Sequence, residues 1–139
     1  MKYRDTVDPN SAKVTLLSPV DAPEPYFAEY GWVPQGGTQT KVPDRETLWS
    51  VESGNALTPE SPVTLTWDNG EGLVFRRTVS IDKDYMFKVV DEVENKTAAD
   101  VALLPYARIH RYGHPKSQAF YILHEGLIGV SGAQGLQEI

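Results

Sequence analysis

Residues 62–95, PVTLTWDNGEGLVFRRTVSIDKDYMFKVVDEVEN, constrain the fold more than any other stretch, because side chains alternate along three segments parted by two turn sequences. Val63, Leu65 and Trp67 take one face of the first segment and Thr64 and Thr66 the other, which is the period of two of an extended strand. Asp68-Asn69-Gly70-Glu71-Gly72 supplies residues that accept positive φ, so the chain reverses there and returns as a strand over Leu73 to Ile81. On that strand Leu73, Phe75, Val79 and Ile81 share a face with Arg77, while Arg76, Thr78 and Ser80 sit on the other beside Val74. Asp82-Lys83-Asp84 makes the second reversal. The third strand, Tyr85 to Glu94, places Tyr85, Phe87, Val89 and Val93 opposite Lys88, Glu92 and Glu94. An antiparallel meander with one oily face must pack on a second layer. Arg77 and Asp91 are the inward exceptions on neighbouring strands, and pairing with each other is one way to satisfy both.

At 139 residues and 40% hydrophobic, the chain buries a core without help from disulfides or metal, and reads as a single domain over 1–139. It has no cysteine, which removes disulfides, thiolate nucleophiles and Cys-ligated zinc from consideration. The formal charge of −6 argues against a nucleic-acid surface, which needs clustered Lys and Arg. No apolar run reaches the roughly 20 residues of a membrane-spanning helix, and the N-terminus lacks the apolar stretch of a signal peptide, so the sequence predicts a soluble chain. Both ends read as cut from something larger, so the chain is taken as a fragment.

Short strands and loops fill the rest. Lys13 to Leu17 is a strand ended by Ser18-Pro19, and Asp21-Ala22-Pro23-Glu24-Pro25 is a stiff connector. Tyr26 to Val33 is a strand expected to bulge or bend at Gly31, and 34–43 is a polar loop. Thr47 to Val51 is a brief strand. Val101 to Arg111 is a strand interrupted by Pro105, and Phe120 to His124 pairs with Leu127 to Val130 around Glu125-Gly126. The helix candidates are Asp44 to Leu48 and the tail after Ser131. Some eight strands with turns about every ten residues predict an all-β fold, an antiparallel β-sandwich with little helix.

Several segments in order carry a family resemblance: Thr15 to Pro19, Pro25 to Val33, Leu57-Thr58-Pro59, Pro62 to Leu73, Tyr85-Met86-Phe87 and Ile122 to Val130. Together they resemble the large periplasmic domain of the YidC/Oxa/Alb family of membrane protein insertases, in its alphaproteobacterial form, over about Lys2 to Ile139. The resemblance implies a β-supersandwich, similar in fold to galactose mutarotase domains. It also implies a soluble periplasmic domain of a multi-pass inner-membrane protein that inserts other membrane proteins through a separate helical bundle. The implied partners are SecD/SecF, the Sec translocon and nascent inner-membrane proteins. The implied role is that of a non-catalytic chaperone-like module in protein transport, without cofactor.

The mutarotase kinship raises a second reading, a carbohydrate-binding or sugar-processing protein. That chemistry needs a His and a carboxylate converging on a sugar. His124 and Glu125 are neighbours, so on a strand they face opposite ways. His110 and His114 are four apart, a zinc spacing on a helix but not on an extended chain broken by Gly113 and Pro115. Asp5, Asp8, Asp21 and Glu24 lack calcium-loop spacing. No catalytic, cofactor or metal residue is therefore assigned. Arg108, Arg111 and Lys116, with Tyr106 and Tyr112, read as a solvated edge, or as a face toward anionic headgroups. Trp32, Trp49 and Trp67 are core anchors, with Trp49 alternatively a contact residue.

Overall fold

A computed structural model describes residues 2–4, 7–11, 13–15, 17–36, 39–113, 128–130, 132 and 135–138. The meander forms as its alternation requires: β5 (Val63–Asp68), β6 (Leu73–Ile81) and β7 (Phe87–Asn95) pair antiparallel, Trp67 opposite Phe75 and Phe75 opposite Val93. A short β4 (Ser50–Ser53) joins the far side of β5, with a register shift between Val51 and Ser53. The second layer is a ribbon of β3 (Tyr26–Pro34) and β8 (Leu103–Arg111), antiparallel along all nine residues of each. Two further pairs, β1 (Lys2–Arg4) with β2 (Lys13–Thr15) and β9 (Ile128–Val130) with β10 (Leu136–Glu138), complete an all-β architecture.

The layers meet at aromatic rings. Phe75, fully buried, takes the edge of the Trp32 indole at a centroid distance of 5.0 Å, and Trp67 tilts against it at 5.6 Å. Leu73 completes the buried cluster, with Val42, Trp49, Val93, Val101 and Leu103 packed around it. Burying a side chain such as Phe75 or Leu73 contributes about 1.5–3 kcal/mol, so this contact holds the ribbon on the meander. Trp32, 6% exposed, is a core anchor as expected; Trp49 and Trp67 are half-buried and pack against that core, with Trp49 also facing a cleft. On the outer face of the meander, Thr64 and Thr78 hydrogen-bond at 3.0 Å, and Arg76 bridges Glu52 and Glu94. Those two carboxylates raise the Arg76 pKa, Glu52 most.

The turn at 68–72 is organised by Asn69, only 4% exposed. Its Oδ1 accepts from the N–H groups of Glu71 and Leu73 at 2.7 and 3.0 Å, and its amide donates to the Lys41 carbonyl at 3.0 Å. Gly70 then takes φ +75, with its N–H on the Asp68 carboxylate. At the second reversal Asp82 accepts from the N–H groups of Asp84 and Met86, which holds Tyr85 at φ +63.

Four sequence expectations need correction. Gly31 makes no bulge, since β3 keeps its register through it; the Tyr106 ring lies where a Cβ would be, 2.7 Å away. Pro105 does not interrupt β8. The bonds from Tyr112 N–H to the Pro25 carbonyl and from Gln35 N–H to the Ala102 carbonyl fix the phase of this ladder, so the Pro105 nitrogen points away from β3 and no ladder bond is lost. The Asp44 to Leu48 helix is a turn, in which Asp44 Oδ1 accepts from Glu46 N–H and the Thr47 hydroxyl, and the strand placed at Thr47 to Val51 begins at Ser50. In the tail after Ser131 the described residues hold a 3-10 position at Gly132, in keeping with the short helix expected there, and then β10, the partner of β9. The expected strand at Phe120 to His124 lies outside the described residues.

Candidate docking cleft

In the β3–β8 ladder, the odd-numbered residues of β3 exchange bonds with β8, so Ala28, Tyr30 and Trp32 turn their backbone N–H and C=O groups to the opposite edge. Ser18 occupies the start of that edge, giving its N–H to the Tyr26 carbonyl at 2.8 Å and accepting Tyr26 N–H at 3.1 Å. Beyond Ser18 no strand pairs with it among the described residues. A cleft of about 1010 Å³ opens here, lined by side chains from both faces of β3, by the Val20-Asp21 turn, by the segment 42–46 and by Trp49 and Arg77. Lining by both faces means that the cleft follows the strand edge.

Its inner wall is aromatic and is centred on Arg77, one of three arginines among the described residues of the lining, with Arg45 and Arg108. The Arg77 guanidinium lies 5.2, 5.5 and 5.5 Å from the ring centres of Trp32, Trp49 and Tyr30. Asp91 takes it in a bidentate grip at 2.7 and 3.0 Å, with both side chains less than a fifth exposed. This is the pair that alternation singled out. An arginine on an apolar face needs its charge matched and its plane stacked, and the site provides both. The effect is to clamp three rings from β3 and the segment before β4 into one surface.

Glu29 is the carboxylate closest in kind to a catalytic group, and its partners hold it ionised. Arg108 donates to it at 2.7 and 3.2 Å and the Tyr106 hydroxyl at 2.8 Å. Arg108 first, then Tyr106, hold its pKa below the ordinary carboxylate value, while the Glu29 hydrogen bond raises that of Tyr106. A carboxylate so held accepts hydrogen bonds and does not exchange protons near neutrality.

Among the described residues the one histidine is His110, and it is not in the lining of the cleft. His110 stacks on Phe27 at 5.3 Å on the ribbon, and His114, His124 and Glu125 lie outside the described residues. Among the described residues no group of three or more His, Cys, Asp or Glu could hold a metal ion, and no helix is long and apolar enough to cross a membrane. The basic stretch is internally engaged, with Arg108 on Glu29 and Arg111 over the Tyr26 ring at 5.0 Å; Lys116 is not among the described residues. Sequence reading missed the cleft itself. The only signal was the density of aromatics in Tyr26 to Val33 beside the irregular segment holding Trp49.

A family model described as "YidC periplasmic domain" matches residues 1–139. The chain belongs to the YidC periplasmic domain family. It is 54% identical over 136 residues to the Membrane protein insertase YidC of Methylobacterium nodulans, covering 98% of this chain and 22% of that protein. Relatives of the same name in Bradyrhizobium diazoefficiens and Ruegeria sp. are 52% and 50% identical, each over 99% of this chain and 22% and 23% of their own lengths. The chain therefore spans about a fifth of the YidC proteins it matches. No solved structure matches it.

Proposed function

We propose that this chain is the periplasmic β-sandwich domain, one unit over 1–139, of an inner-membrane YidC-like insertase. In this reading it supports insertion by docking proteins rather than by catalysis. One observation carries the docking mode: an edge of β3 whose backbone groups at Ala28, Tyr30 and Trp32 face an aromatic cleft. An extended polypeptide added to that edge gains main-chain hydrogen bonds, and its alternate side chains reach the Trp32, Trp49 and Tyr30 wall. The full-length relatives insert membrane proteins, as their name states, which favours extended segments of nascent inner-membrane clients as occupants; segments of SecD/SecF are the second partner of this proposal.

Photo-crosslinking tests this in a full-length insertase carrying the probe at Ala28 or Val33, with Thr66 on the outer face of the meander as control. Adducts to clients or to SecD/SecF from the β3 positions alone are expected. Equal labelling from Thr66, or none from β3, overturns the assignment. Calorimetry with a panel of sugars separates the mutarotase-like alternative, which requires saturable heat. Among the described residues, those lining the cleft include no histidine to serve that chemistry.

A further inference from the structure

The four-stranded sheet ends on β7, and among the described residues nothing pairs with its outer edge. Bonds at both ends of the β6–β7 ladder, Lys96 N–H to the Gly72 carbonyl and Asp82 N–H to the Met86 carbonyl, fix its phase. Lys88, Val90, Glu92 and Glu94 bond inward to β6, and Phe87, Val89, Asp91, Val93 and Asn95 direct their N–H and C=O groups outward. Nine residues of unpaired edge is a template for another strand.

We infer that a second copy of this chain pairs antiparallel with this edge about a two-fold axis at Val90. Two properties of the strand select that occupant and that register. With Val90 opposite its own copy, Lys88 of each chain faces Glu92 of the other, so two opposite-charge pairs flank an apolar centre on one face. On the other face Phe87 meets Val93. Val90 and Phe87 are 40% and 38% exposed in the single chain and available for such contact. Moving the axis one position to Asp91 sets two aspartates against each other and loses the central valine pair. Moving it to Glu92 sets Lys88 against Lys96. An inward charge on an edge strand ordinarily deters pairing. Here Asp91 is already matched by Arg77, and in the chosen register it faces Val89. The outward groups of Val89 and Asp91 then exchange bonds across the axis, giving one continuous eight-stranded sheet.

The chain has no cysteine, so the register can be tested directly. Val90→Cys places two thiols at a non-bonded antiparallel pair, about 4.5 Å between Cα atoms, within the span a disulfide accepts. Mild oxidation of this variant should give a covalent dimer, and Lys88→Cys or Glu92→Cys alone should not. In sedimentation equilibrium Lys88→Glu should weaken association about tenfold, and adding Glu92→Lys should restore it. A chain that stays monomeric at every concentration, a Val90→Cys variant that does not crosslink, or a charge swap without rescue overturns the proposal. The first two results are those expected if another segment of a longer parent covers this edge.

Discussion

Arg77 shows how one side chain ties two layers together. Its guanidinium stacks on rings of β3 and of the segment before β4, while its charge is matched from β7 by Asp91. Removing one partner strands the other charge in a mostly dry place, so Asp91→Ala should cost about 3 kcal/mol in urea denaturation. Arg77→Met combined with Asp91→Leu should recover most of that loss, because a matched apolar pair leaves nothing unpaired. Glu29 carries a pH signature with two limbs. Its pKa is lowered from 4.5, so its contribution is complete above that value and lost as pH falls through the lowered one. The Tyr106 pKa is raised from 10.0, so its contribution is complete below that value and lost as pH climbs through the raised one. Denaturation midpoints across pH should therefore change less on both flanks in Glu29→Gln, and unchanged flanks contradict the assignment. The Arg77–Asp91 pair was legible because two charges broke the same alternation on adjacent strands. The link from Glu29 to Tyr106 and Arg108 was not, since it joins residues nearly eighty positions apart.

At the scale of elements, turns were readable and strand interiors less so. The reversals at Asn69-Gly70 and Asp82 to Asp84 are local chemistry, in which short polar side chains cap backbone donors within four residues. Gly31 and Pro105 carry the same kind of local signal, yet both lie inside regular strands. What rescues each is distant: a tyrosine ring fills the space over Gly31, and the phase of the ladder turns the Pro105 nitrogen outward. Gly54 makes the opposite case. It sits at φ +82 after β4, and a Cβ there would collide with the Pro62 carbonyl at the start of β5. Because backbone, not a movable side chain, is the obstacle, Gly54→Ala should destabilise by about 2 kcal/mol or more. Gly36→Ala, also at positive φ but in open space, should cost less in the same thermal melts.

For the whole molecule, the two-layer all-β plan follows from one oily face that needs covering, and that much was written in the alternation of 62–95. The family followed from the order of segments along the chain. The cleft did not, because it exists only where the segment 42–46, the Val20-Asp21 turn and the edge of β3 come together, and none of the three announces the others. The buried turn at Asn69 also bears on how long the folded protein lasts. Asparagine followed by glycine is the dipeptide most prone to spontaneous deamidation, which requires the glycine nitrogen to attack the side-chain amide. In this turn the amide has three hydrogen bonds and the Gly70 N–H is committed to Asp68, so neither reactant can reach the other without opening the sheet. The slow chemical clock of the chain is thereby moved to its exposed asparagines, Asn10, Asn55 and Asn95, where ageing leaves the core untouched.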